Sequence, residues 1–170
     1  LVMLPRSING SRTLKGLLDD EVTAVRVAAY ESLASINDRV VSSGRVIVSD
    51  DLGTGIKYVI DTVPSERPLV YITQIGVPRI VIFSPELGFS SKTMLARLWD
   101  NRLMLATKPG EEHLEIFYQP PSWQTPSGGE ARREPVRLKA VPDLKTLIYL
   151  LGHKPSIEQP NEGLGLTYSQ

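Results

Sequence analysis

The chain has 170 residues, no cysteine, and nineteen basic residues balanced by nineteen acidic ones. The lack of cysteine excludes disulfides, thiol catalysis and cysteine-ligated zinc. The charge balance removes the long-range field that draws in nucleic acid or anionic lipid, and no apolar run approaches the roughly 20 residues of a bilayer span. A chain of this length buries roughly 70% of its unfolded surface and needs no metal to fold. It opens "LVMLPRS", without an initiator methionine, as a fragment or processed product of a longer protein does.

The first predicted element is a helix within "DDEVTAVRVAAYESLASIND" (19–38). Val22, Val25, Ala29, Leu33 and Ile36 recur at helical spacing and form one apolar stripe. Asp19 and Asp20 precede it, where a carboxylate caps free N–H groups and meets the positive end of the dipole. Ala24, Ala28, Ala29 and Ala34 leave room for a second helix, and a single amphipathic helix needs such a partner to bury its stripe.

Asp20, Val25, Arg26, Ala28, Ala29, Leu33, Ile36 and Asp38 together resemble the first helix of a HEAT repeat. The preceding "LKGLLDD" resembles the end of the second helix of an earlier repeat. A full unit takes ~40 residues and several must stack. After Asp38, however, "RVVSSGRVIVSDD" reads as turn and strand instead of a second helix. The resemblance implies that residues 1–40 end a helical array, with Leu14, Leu17 and Leu18 exposed where the array is cut. The other reading is a lone core helix.

From Arg45 onward the pattern changes to short β-rich runs separated by turn residues. Strands are predicted at 45–49, 56–63, 68–75, 79–84, 93–99, 102–107, 113–119 and 135–141. The apolar runs "PLVYITQI" and "RIVIFS" predict strands covered on both faces. Asp100-Asn101 suits a two-residue hairpin turn, which places Trp99 opposite Arg102 and Leu98 opposite Leu103. "PPSWQTPSGGEARRE" reads as a loop. In "PDLKTLIYLLGHK", Pro142 and Asp143 start a helix and Gly152 and Pro155 stop it. The tail carries Leu164, Leu166 and Tyr168, spaced to dock as an extended segment. The predicted fold is α+β: a HEAT-like lead-in (1–40), an antiparallel sheet or small barrel of about eight strands with a covering helix (41–155), and an extended tail (156–170).

No motif for chemistry stands out. The two histidines, His113 and His153, lie forty residues apart, and neither shows a nucleophile or a metal-ligand spacing such as H-x-x-x-H. The pairs Asp19-Asp20, Asp50-Asp51 and Glu111-Glu112 fall at element boundaries, where charges are solvated or cap helices. "LGTG" (52–55) joins two strands and lacks the helix that a phosphate cradle requires. Ser90, Ser91 and Lys92 read as a loop leading into a strand, because neighbouring side chains of a strand point to opposite faces. Arg132, Arg133, Arg137 and Lys139 are diluted by Glu130 and Glu134 and lack interleaved aromatics. No cofactor and no metal site is expected.

"VPSERPLVYITQIGVPRIVIFSPEL", "RLWDNRLMLATKPGEEHLEIFYQPP" and "HKPSIEQPNEGLGLTYSQ" resemble the C-terminal region of bacterial flagellar basal-body P-ring-like proteins. That resemblance implies an exported, non-catalytic part of a periplasmic or envelope assembly, and it carries no site motif. The partners it implies are proteins or the rest of its own larger chain, not nucleic acid, and without membrane insertion. Candidate partner-binding residues are Leu14, Leu17, Leu18, Trp99, Arg102, Trp123, Leu166 and Tyr168. For Trp99 and Trp123 the competing reading is local packing. The alternatives are a ligand-binding or enzymatic β domain using His113, Asp61 or Glu115, and a cytoplasmic HEAT-type adaptor.

Overall fold

A computed structural model describes residues 8–49, 55–84, 86–89, 93–120, 135–154 and 162–166. The chain forms two compact units, Leu1–Leu87 and Gly88–Gln170, each built around a four-stranded sheet. The fold is α+β, as composition and pattern predict, but neither sheet closes into a barrel. The strands expected to form one body are thus divided between two sheets. The helical lead-in shares a unit with the first of them, so the boundary differs from the three-part division read from the sequence.

In the first unit, helices α1 (Ile8–Leu17), α2 (Thr23–Ser35) and α3 (Arg39–Ser42) lead into strands β1 (Val46–Ser49), β2 (Ile56–Val63), β3 (Leu69–Thr73) and β4 (Arg79–Phe83). The strand order is β1-β2-β4-β3. β4 inserts between β2 and β3, parallel to β2 and antiparallel to β3, so the sheet is mixed and not purely antiparallel. This topology requires residues 64–68 to cross the end of β4. Asp19 holds that crossover, its Oδ1 accepting from Ser65 Oγ (2.7 Å) and from the Glu66 amide (2.9 Å). Arg26 holds its far end, donating from Nη1 to the Arg67 carbonyl at 2.7 Å.

The buried face of α2 is rotated from the predicted stripe. Ala29 and Leu33 are buried as expected, but Arg26 and Tyr30 flank them, while Val22 and Ile36 are exposed at the helix ends. The reason is chemical: Arg and Tyr bury an apolar body when the polar tip finds a partner. Arg26 lies over the Phe83 ring at 5.8 Å, and Tyr30 meets Tyr71 and Phe83 edge-on at 6.3 Å each. The partner that the helix requires is therefore α1 together with the chain's own sheet. Leu18, Ala29, Tyr30, Leu33, Val41, Val63, Val81 and Phe83 make one core, with Leu14 and Leu17 packed against it. The predicted exposed edge at Leu14, Leu17 and Leu18 is not formed; Leu18 is 1% exposed.

Neither aspartate before α2 caps it through a side-chain bond to the helix. Asp20 instead accepts from the Val22 amide at 2.8 Å, just outside the helix. Asp38 does cap, accepting from the Val40 amide at 2.9 Å to start the single turn of α3. It also ties that turn to α1 through Ser11 Oγ at 2.7 Å and Lys15 Nζ at 3.1 Å. One helical turn thus stands where the sequence reads as turn. β4, central in the sheet, buries Val81, Ile82 and Phe83 in succession, as predicted for a strand covered on both faces. β3 does not: it is an edge strand that exposes Val70 and Ile72.

In the second unit, β5 (Met94–Leu98), β6 (Leu103–Thr107), β7 (Leu114–Tyr118) and β8 (Val136–Ala140) form an antiparallel meander. Helix α4 (Leu144–Gly152) follows, N-capped by Asp143, whose Oδ1 accepts from the Thr146 amide at 2.8 Å. Alternate residues, including Leu103, Leu105, Leu114, Ile116, Tyr118 and Leu138, form the core with Leu147 and Leu166. The opposite sheet face carries Met104, Ala106, Glu115, Phe117, Arg137 and Lys139. Leu98 pairs with Leu103 as predicted, but four residues, not two, make the turn. Trp99 joins Asp100 and Asn101 in the left-handed region, with φ of 52°, 54° and 65°. The tail segment 162–166 is an integral part of this unit. The Leu164 and Leu166 amides donate to the Leu150 and Leu151 carbonyls, and the Gly165 amide donates to the His153 carbonyl, each at 2.8 Å. These bonds satisfy carbonyls that the end of a helix otherwise leaves without partners.

Candidate functional site

Titratable groups converge at two places among the described residues, one in each unit. In the first, Asp61 sits in the middle of β2, inside the otherwise apolar run "IKYVIDTV", and is completely buried. An isolated carboxylate there is costly to desolvate, so its charge must be met. Its Oδ1 accepts from Arg45 Nε at 2.7 Å. Its Oδ2 accepts from Tyr30 Oη at 2.6 Å, Arg45 Nη2 at 3.0 Å and Arg79 Nη1 at 3.4 Å. Arg45 thus forms a two-bond fork, the strongest geometry for this pair. The β2–β4 register explains the set. Asp61 pairs with Val81, so Arg79 lies two residues along β4, on the same face. Burial, followed by the bond to Asp61, pushes the Tyr30 hydroxyl well above its usual value. A carboxylate whose lone pairs are filled by three cationic and phenolic donors is a structural tie between α2, the start of β1 and β4. It is poorly placed to act as a base.

The second cluster is Glu111, His113 and Glu115. They alternate along the approach to β7, which directs them to the solvent-facing side of the sheet, the side opposite Leu114 and Ile116. His113 Nε2 lies 3.0 Å from Glu111 Oε2 and 3.9 Å from Glu115 Oε1. All three donor atoms lie within 4.8 Å of one another. Lys108 Nζ pairs with Glu115 Oε1 at 3.0 Å, and that bond holds the Glu115 carboxyl below its usual range. The imidazole side chain is 28% exposed, so the group lies on a sheet face and not deep in a cleft. In the sequence His113 and Glu115 stand out individually, and no helical metal-ligand spacing joins them. The signal that links them is E-x-H-x-E, a period-two pattern that becomes a cluster only where the chain runs extended into a strand.

The remaining candidates, where they are described, take part in local packing and hydrogen bonds. His153 follows α4, stacks on Tyr149 at 4.7 Å and offers its carbonyl to Gly165. Trp99 packs partly against the second core, and its carbonyl accepts from Arg102 through both the amide (3.0 Å) and Nε (3.2 Å). Leu166 is buried in that core. Asp19 is spent on the crossover. Arg137 lies over the Phe117 ring at 5.8 Å. Trp123, Tyr168, Ser90, Ser91, Lys92, Arg132 and Arg133 lie outside the described residues. No protein-family model, no curated protein and no solved structure matches the chain.

Proposed function

We propose that the chain is a non-catalytic structural or protein-interaction domain of a larger protein, in the flagellar P-ring-like or cell-envelope setting that the sequence resemblance implies. The observation that supports this reading is the free edge of the first sheet. β3 is uncharged from Leu69 to Thr73 and exposes Val70 and Ile72 on one face; the turn after it exposes Ile75 (87%) and Val77. Protein sheets ordinarily protect such an edge with lysine, proline or a bulge, because an unprotected apolar edge templates pairing with another segment. Strand addition by an extended peptide uses this geometry, with backbone bonds for affinity and alternate side chains for specificity. The commitment of Asp61 to arginine and tyrosine supports a scaffold over a catalyst.

The HEAT-like reading rests on the sequence match of α2 and on its pairing with α1. The end-of-array form of that reading requires an exposed hydrophobic flank on α1, and Leu14 and Leu17 are instead packed inward. The interaction surface is accordingly placed on β3 and its turn.

The test is site-specific photo-crosslinking in cells with the full-length parent protein. A photoreactive residue at position 75 is expected to capture one discrete partner in the envelope fraction, and Ile72→Lys is expected to abolish the capture while leaving the far-UV spectrum unchanged. Capture from the cytosol alone would replace the envelope setting with the cytoplasmic adaptor. No capture at either 72 or 75 would remove the edge from consideration.

A further inference from the structure

We infer that Glu111, His113 and Glu115 form a binding site for one divalent transition-metal ion of the zinc type, on the open face of the second sheet. The inference is independent of the proposed function, because the exposed edge of β3 belongs to the other unit.

The donors fit in kind and in spacing. One imidazole nitrogen with two carboxylate oxygens is a set that suits Zn²⁺ and its neighbours, whereas Mg²⁺ and Ca²⁺ select all-oxygen sites. Bonds of about 2.0–2.2 Å around a tetrahedral centre place ligand atoms roughly 3.3–3.6 Å apart. The 3.0 Å and 3.9 Å separations around His113 Nε2 bracket that spacing.

A second observation sets this group apart from an ordinary run of surface charges. Glu111 Oε2 and His113 Nε2 are both shielded from solvent and face each other at 3.0 Å, an ion-pair distance, yet among the described residues neither makes a hydrogen bond. Shielded polar atoms of this kind seldom go without one. An ion placed between them and Glu115 would satisfy both, and solvent on the open side would complete its shell. The ion would tie the β6–β7 turn, where Glu111 lies, to β7, where Glu115 lies.

Lys108 is the competitor. Its ammonium holds Glu115 Oε1, the same oxygen the ion would take, but the lysine side chain is 54% exposed and can swing into water. This gives the inference an outcome that a merely structural ion pair would not produce. Removing Lys108 should raise metal affinity, because it frees a ligand and removes a like charge from beside the ion.

The experiment titrates the full chain, free of any affinity tag, with Zn²⁺ against a chromophoric chelator, and with Co²⁺ by visible absorption. His113 and His153 are the only histidines, so the ring ¹⁵N signals of the two are readily assigned. One ion per chain is expected, with the His113 ring shifted and His153 unmoved. His113→Gln and Glu111→Gln should each lower affinity about 100-fold or more, since even second-shell changes cost 10–100-fold. Lys108→Met should raise it about 5-fold, the scale of a screened surface charge. His153→Gln should change nothing. Glu111→Gln is a near-isosteric change on a solvent-facing side chain, so the fold should survive it and circular dichroism would verify that. Stoichiometric binding that persists in both His113→Gln and Glu111→Gln would overturn the inference. So would wild-type binding no tighter than millimolar, which would leave the cluster as an ordinary group of polar side chains on a sheet face.

Discussion

Replacing Asp61 with asparagine keeps its volume and removes its charge, and so tests whether this residue ties the first unit together. In the native arrangement one carboxylate receives four donor contacts, two from Arg45 and one each from Tyr30 and Arg79. Breaking a buried ion pair by removing one partner costs about 3–5 kcal/mol. Here the cost is discounted, because the Arg45 and Arg79 side chains are 22% and 27% exposed and can recover water by small rotations. About 2–3 kcal/mol remains, in line with charge-assisted hydrogen bonds. Tyr30→Phe removes one donor and leaves the Arg45 fork in place, so it should cost only about 1–1.5 kcal/mol. Urea unfolding at neutral pH reads both as midpoint shifts at constant slope, and hydrogen exchange at the β2 amides localises the effect to the first unit. The ordering is the test. If Asp61→Asn proved more stable than wild type, Asp61 would instead be a strained functional carboxylate, since such residues stabilise the fold when neutralised.

Tyr30 is buried and donates to an ionised carboxylate, so its proton leaves at a higher pH in the folded state than in the unfolded chain. Above about pH 10 the unfolded state therefore binds fewer protons than the folded one, and stability present in full below that pH is lost as pH rises. Absorbance at 295 nm should show one tyrosine ionising only as the fold is lost, and Tyr30→Phe should flatten the alkaline decline; an unchanged decline would exclude Tyr30 as the linked group. At Gly163, a Cβ would run into the His153 carbonyl, so Gly163→Ala should detach the 162–166 segment from α4 and lower stability by about 2 kcal/mol, the scale of burying Leu166. Without that collision the same substitution would stabilise by restricting the unfolded chain, so the sign of the melting shift decides.

The eight strands and the α4 cap were legible because each rests on local chemistry: period-two apolar runs, turn residues between them, and an aspartate at a helix start. The sheets they join were not legible. Nothing in "PLVYITQI" says that β4 will slip between it and β2; that choice depends on the crossover being held by Asp19 and Arg26, residues distant in sequence. The α2 stripe was misread for a related reason. Hydropathy ranks Val22 and Ile36 above Tyr30 and Arg26, yet tertiary partners decide burial, and Asp61 and the Arg67 carbonyl serve the tyrosine and the arginine.

The two clusters of titratable groups show how little a charged residue says until its period is known. Asp61 reads in sequence as one candidate of a ligand-binding or enzymatic domain, but β2 carries it inward, where only full pairing makes its charge bearable. Glu111 reads as a boundary charge beside Glu112, and His113 and Glu115 read as separate candidates, because no helical metal-ligand spacing links the three. Across the turn before β7 and its first residues their donor atoms come within 4.8 Å of one another, and two of those atoms make no hydrogen bond among the described residues. Burial closes the first group to new ligands and leaves it to stability. The second stays partly exposed, and so keeps room for the ion inferred to bind there.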